Sequence, residues 1–353
     1  MWYRAQMSRA DGVDIHLDEN GVPRVIPRII VVDEGAAGSR LDQFLKTKIP
    51  RLSRTRIQSI IRSHVRRGNG RALRPASRVE LGEEIVIELP ARPEPPCPRR
   101  FTSLYQDEML MVLDKPAGLP VHATAKFYFN TLTRVLLEHY GEPPPQICHR
   151  LDMETSGCLL VAFSKPVAAV LKQAFAKKET KKTYLAIVHG DAPWDEEYSI
   201  DLPLGLVDPD QPISIRMTVR DDASPAQTLV RVLERPAPGY ALVQCKPVSG
   251  RQHQIRAHLA ALGFPIVGDK LYGHGDQAFS DFCDTGMTPA LRRQFELPRH
   301  ALHATALSFP HPTKGMMTVE CPMPEDMRAF MDGGCVYREE HDEDSWLEDL
   351  LAD

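Results

Sequence analysis

The chain lacks the marks of several large protein classes. Its longest clean apolar run, Cys158 to Phe163, is far short of the roughly 18 residues a membrane span needs. The start, MWYRAQMSRADG, has no apolar core of the kind a secretory signal carries. Cysteine is sparse: seven residues, scattered, odd in number and without a CxxC pair. That argues against a disulfide scaffold and a structural zinc site, and suits thiols in a reducing cytoplasm. There is no GxxxxGK[ST], no GxGxxG after a strand and no repeat of 20–50 residues, so neither a nucleotide cofactor nor a solenoid is indicated. What remains is globular: 42% hydrophobic and 25% charged over 353 residues, enough for about two domains.

The net charge of −4 hides two opposed blocks. Twelve basic residues stand against one acid, Asp42, between Arg40 and Arg78. From Arg338 to Asp353 one base faces eight acids. A dense positive block is the electrostatic footprint of a phosphate-backbone binder, although a solvated helical face gives the same count.

Periodicity divides the chain further. Residues 1–28 read as an N-terminal extension. Ser39 with Asp42 resembles a capping pair ahead of Leu41, Phe44 and Leu45, and Pro50 ends that helix. A second helix begins near Ser53, with Ile57, Ile60 and Ile61 inward and Arg54, Arg56 and Arg62 outward. Asn69-Gly70 marks a turn, and Ile85, Ile87 and Leu89 alternate as in a strand. Residues 29–90 thus form a small arginine-studded α/β unit. The stretch ARPEPPCP, with four prolines in eight positions, reads as a stiff linker over 91–101. Residues 102–333 mix strands (109–113, 157–164, 183–188, 228–233, 240–246) with helices over about 166–176 and from Ser249-Gly250 to Gly263. The acidic tail, 334–353, is expected to be disordered.

Three polar clusters can carry chemistry. In HRLDMETSG, 149–157, a carboxylate beside an arginine suits a nucleophile or a general base, and equally a turn cap. In GRQHQIRAH, 250–258, a helix would put Gln252 and Arg256 on one face and Arg251 on another. His253 and His258 are about 140° apart around a helix, which disfavours a metal site. Arg256 reads as an ion-pair partner, because a guanidinium keeps its charge when buried. In KKTYLAIVHG, 181–190, Tyr184 shares a strand face with Ala186 and Val188, either as a core tyrosine or as a surface for base stacking.

Together these segments resemble the RluA family of RNA pseudouridine synthases, in its larger form with an N-terminal S4 RNA-binding domain. HRLDMETSG is similar to that family's HRLDxxTSG stretch, LDKPAGLPVH (113–122) to its DKPxGxxVH segment, and KKTYLAIVHG to its KxYxAxVxG strand. SGRQHQIRAHLAALGFPIVGDKLYG (249–273) is similar to GRxHQIRxHLxxxGxPIxGDxxYG, and RHALHA (299–304) to RQxLHA. Two features depart from the pattern: His300 stands where glutamine is usual, and 274–298 is longer than the common spacing.

The resemblance implies an α+β fold: a mixed, largely antiparallel sheet with flanking helices, plus the S4-like unit. It implies that Asp152 breaks the N-glycosidic bond of a flipped uridine, so that uracil turns and rejoins through C5. Arg256 would pair with Asp152 and keep it ionised, with Arg251 the second choice, and Tyr184 would stack on the base. Arg150 would fill the space the base vacates, His149 would lie with it in the RNA contact, and Arg54, Arg56 and Arg62 would meet phosphates. No metal or organic cofactor is called for, because nothing is oxidised. The expected partner is structured RNA, more in keeping with large-subunit ribosomal RNA than transfer RNA, and the expected state is a cytoplasmic monomer without a membrane. Two rivals remain: a non-catalytic RNA binder on the same scaffold, which would lack Asp152, Tyr184 or Arg256, and an aspartyl phosphatase read from Asp152-x-Glu154-Thr155. The phosphatase signature places its apolar strand before the aspartate, whereas here the strand follows.

Overall fold

The computed structural model describes residues 15–124, 126–208 and 210–333. The acidic tail and the first half of the extension lie outside the described residues. The chain divides into two compact units, Val13–Pro95 and a larger one that takes up the chain at Pro96.

In the smaller unit the strand Glu84–Pro90 runs between Val25–Val31 and Val65–Arg67, all antiparallel. Pro27 is tolerated because Val25–Val31 is an edge strand. Helices Leu41–Lys48 and Arg54–His64 cover one face of this sheet and bury Leu41, Phe44, Leu45, Ile57 and Ile61 against Ile85 and Ile87. Two expectations need correction. The sheet begins at Val25, where it pairs with Pro90, so the boundary at residue 29 falls inside a strand. Ser39 does not cap the first helix: Arg40 is the N-cap, without a side-chain bond, and Asp42 turns to Arg40, Arg54 and Gln58 instead. The second helix does start as read, with the Ser53 hydroxyl accepting from the Arg56 amide at 3.2 Å.

The larger unit is built on one mixed sheet. Its strands run in the order Thr102–Gln106, Leu110–Lys115, Ser156–Ala162, Leu302–His311, Lys181–His189, Tyr240–Pro247, Gln227–Glu234 and Tyr198–Asp201. Gln146–Ile147 adds beside Ser156–Ala162, and Gly315–Glu320 beside Leu302–His311. Among the described residues only Ser156–Ala162 and Leu302–His311 pair in parallel, so the sheet is largely antiparallel as expected. The apolar run at Cys158 follows from burial on both faces. Leu159 and Val161 enter one core, while Cys158, Leu160 and Ala162 enter a second.

Helix Lys165–Ala176 forms as read, its first turn held by the Ser164 hydroxyl and opened by Pro166. The helix after Ser249-Gly250 is shorter than expected. It begins at Gln254, because His253 adopts the left-handed conformation at φ 52° and ends the preceding turn. Gln252 therefore does not share a helical face with Arg256. Residues 91–101 form no helix or strand, but Ala91 and Cys97 are buried, so this stretch is not a wholly exposed tether. The long segment 274–298 holds two helices, Gly275–Thr285 and Pro289–Phe295, packed through Phe282 and Phe295. No helix among the described residues is long and apolar enough to cross a membrane.

Candidate active site

A cleft of about 930 Å³ opens in the larger unit, lined by Asp152, Tyr184 and Arg256 together with His149, Arg150 and Arg251. Six residues drawn from three separate stretches of sequence thus share one wall-to-wall space. Arg54, Arg56 and Arg62 belong to the smaller unit, where Arg54 is committed to Asp42 at 3.0 Å.

Asp152 sits in the turn before Ser156–Ala162, and that turn is held from every side. Met153 O accepts from the Gly118 amide at 2.8 Å and from Lys115 Nζ at 3.1 Å. The Thr155 hydroxyl bonds His300 at 2.8 Å, and the Ser156 hydroxyl bonds His303 at 2.8 Å. Glu154 accepts from Lys270 Nζ at 2.7 Å and from the His300 amide at 3.1 Å. Gly157, at φ 106°, is required by the parallel pairing, since a Cβ there would overlap the Ala304 backbone. Lys115 is fully buried and donates to three carbonyls, those of Pro116, Leu119 and Met153. Burial and the charge of Arg299 pull its ammonium down to about 7, while the carboxylates of Asp152 and Asp114 draw it back.

Arg256 Nη1 donates to Asp152 Oδ2 at 2.9 Å. The same guanidinium grips Asp269 through two bonds, Nε to Oδ2 at 2.7 Å and Nη2 to Oδ1 at 2.9 Å. Its face lies over the Tyr272 ring, 5.1 Å from the centroid. Burial alone would push the Asp152 carboxyl up, but the Arg256 charge overcomes it and holds the group below the ordinary aspartate value. Asp152 is therefore ionised at neutral pH. Burial, with Arg256 close by, pulls His253 down to about 4, so it faces Asp152 at 4.0 Å as a neutral ring. No cluster of three or more His, Cys, Asp or Glu among the described residues is arranged to hold a metal.

Tyr184 is almost fully buried on the strand Lys181–His189, and burial pushes its hydroxyl well above the usual tyrosine value. It presents a neutral ring rather than a phenolate. Arg150 is exposed at the cleft, and the Arg251 side chain donates from its Nε to Pro225 O at 3.3 Å. His149 lines the cleft, and its ring is also engaged by the protein's own framework. Its Nε2 accepts the Leu160 amide at 3.0 Å and its ring stacks on Phe175 at 4.6 Å, so it braces the loop against the following strand. Burial and Lys182 hold it at about 3, uncharged at neutral pH and unable to pair with phosphate as a cation.

Asp269, Tyr272, Lys270 and Lys115 were not singled out by the sequence reading. Asp269, Lys270 and Tyr272 lie within VGDKLYG, so the motif held a signal but gave no hint of which partner each would meet. The phosphatase reading fails on geometry: Glu154, its second carboxylate, is occupied by Lys270 and His300 rather than free beside Asp152.

The cleft thus brings together a half-buried, charge-paired aspartate and a neutral tyrosine, with arginines beside them. The family model described as RNA pseudouridylate synthase matches residues 109–261. Ribosomal large subunit pseudouridine synthase D of Nitrosomonas europaea is 34% identical over 86% of this chain and 86% of that protein. Ribosomal large subunit pseudouridine synthase C of Escherichia coli is 32% identical over 86% of this chain and 95% of that protein. The solved structure titled Human RNA Pseudouridylate Synthase Domain Containing 1 has a TM-score of 0.53 at 24% identity, covering 74% of this chain and 98% of that one, a likeness of fold. The chain belongs to the RluA family of RNA pseudouridine synthases, isomerases that act on uridine in RNA.

Proposed function

We propose that the protein converts uridine to pseudouridine in large-subunit ribosomal RNA, with Asp152 as the group that attacks the flipped nucleotide. The observation that carries the reading is the pairing of Asp152 with Arg256 in a cleft that also holds Tyr184. The carboxylate is ionised and oriented before substrate arrives, so none of the binding free energy is needed to charge it. The reaction breaks the N1–C1′ bond and forms C5–C1′. The C5 proton is released and N1 gains one, so the product is an isomer. Target uridines must leave their stack at a cost of a few kcal/mol, and the tyrosine ring offers a replacement surface. Substrate specificity follows from the names of the relatives, which act on the large ribosomal subunit. Mapping pseudouridines in ribosomal RNA from a deletion strain should show one or a few sites lost and regained on complementation. An unchanged large-subunit map, with sites lost in transfer RNA instead, would overturn the substrate assignment.

Stacking on Tyr184 predicts a graded response. Tyr184→Phe should keep most affinity for substrate RNA, whereas Tyr184→Ala should lose about 1–3 kcal/mol. Equal affinities for the two variants in a filter-binding titration would reject the stacking role.

We further read the smaller unit as an S4-like RNA-binding domain, and the protein as a cytoplasmic monomer. Support comes from its two basic helices on a three-stranded sheet and from the exposure of Arg56 and Arg62. Replacing both by glutamine should flatten log affinity against log salt by roughly 0.7–0.9 units for each phosphate no longer neutralised. An unchanged slope would leave this helix face as a solvated surface.

A further inference from the structure

We propose that Lys182 binds a phosphodiester of the RNA chain next to the target uridine; this rests on the reading that a uridine enters the cleft. Other buried cations of the larger unit are supplied with acceptors. Arg256 has Asp152 and Asp269, Lys270 has Glu154, Arg299 has Asp326, and Lys115 has three carbonyls. Lys182 differs. It is half-buried in the cleft wall, and its Nζ has a single long bond, to Ser249 O at 3.5 Å. Among the described residues no carboxylate reaches it. Burial lowers the pKa of its ammonium, and no acid restores it.

An ammonium with three donors and one long acceptor has lost water without gaining a counter-ion, an unfavourable state that an anion would relieve. The position selects that anion. Lys182 lies two residues before Tyr184 on the same strand face, about 7 Å away along the strand. A ring that stacks on a base and a cation one step along the same wall fit a nucleotide's base and its sugar–phosphate backbone. Gly250 stands close by: a Cβ there would lie 3.4 Å from the Lys182 ammonium, in ordinary van der Waals contact. Arg150 and Arg251 line the same cleft and add positive potential around the approach.

The test uses the full-length protein and a synthetic stem-loop of large-subunit ribosomal RNA containing the uridine mapped above. A neutral methylphosphonate replaces, in turn, each phosphate flanking that uridine. One neutral linkage should weaken wild-type binding roughly tenfold. Lys182→Met should bind the unmodified RNA about that much more weakly, with KM rising more than kcat falls, and should lose little more on that methylphosphonate. Its salt slope should be shallower by roughly 0.7–0.9 units, and Lys182→Arg should restore it. Lys182→Gln, which keeps a polar tip for the Ser249 carbonyl, repeats the test should the methionine variant fold poorly. An unchanged salt slope, or losses that multiply between protein and RNA changes, overturns the phosphate assignment while leaving the synthase reading intact. Absence of isomerisation by the wild type on every large-subunit fragment overturns both.

Discussion

An Asp152→Asn protein is expected to fold, to bind substrate RNA within a few-fold of the wild type, and to lose pseudouridine formation by on the order of 10⁴ or more. Asparagine keeps the volume of the side chain, and its amide oxygen can still accept from Arg256 Nη1, now 2.9 Å from Asp152 Oδ2. What disappears is the negative charge that Arg256 holds ready in the cleft. Melting temperature, RNA affinity and single-turnover rate on one RNA separate these effects. Turnover by the asparagine variant at a rate near that of the wild type would remove Asp152 from the chemistry.

Arg256→Leu should damage both stability and activity, because one guanidinium serves two carboxylates. Asp269 is completely buried, and losing its partner leaves an uncompensated charge. Breaking a buried pair in this way typically costs about 3–5 kcal/mol. The pH dependence distinguishes this from simple loss of packing. In the wild type, burial raises the Asp269 carboxyl but Arg256 lowers it further, to about 2. A carboxyl depressed on folding contributes stability that is complete above its unfolded value near 3.8 and is lost as pH falls toward 2. Without Arg256 the sign reverses. Burial then raises the Asp269 carboxyl above its unfolded value, so protonation favours the folded state. The stability deficit of Arg256→Leu in urea titrations should therefore shrink from neutral pH toward pH 4. A deficit independent of pH would mean that packing, not charge, is what Arg256 supplies. Asp152 should respond to the same substitution by becoming harder to ionise, so any residual activity should shift to higher pH.

Much of the architecture was legible because local patterns and burial agree. The run from Cys158 is apolar on both faces because its strand separates two cores, so it stood out without any periodicity. Ser53 and Pro166 marked helix starts through chemistry confined to one turn. Less legible were helix Leu132–Tyr140, the helices of 274–298 and strand Leu302–His311. That strand is central to the sheet, yet its sequence mixes histidine, threonine and serine, whose burial depends on partners elsewhere. His303, for example, is buried because Ser156, 147 positions away, bonds its ring. Ser39 is not a cap. The helix starts with Arg40 as its N-cap, one residue beyond Ser39, and the Asp42 carboxylate accepts from Arg54 and Gln58.

For the site, the sequence by itself singled out Asp152, Tyr184 and Arg256, which stand in segments whose order and residue types resemble one family, and all three line one cleft. Only the tertiary structure decided what surrounds them. It made Arg256 a bridge between two carboxylates, set the His149 ring to accept from the Leu160 amide, and brought no carboxylate among the described residues to Lys182. The reason is physical. A residue's chemical capacity resides in its own side chain, whereas its charge state and its partners are set by groups brought near it from distant parts of the chain.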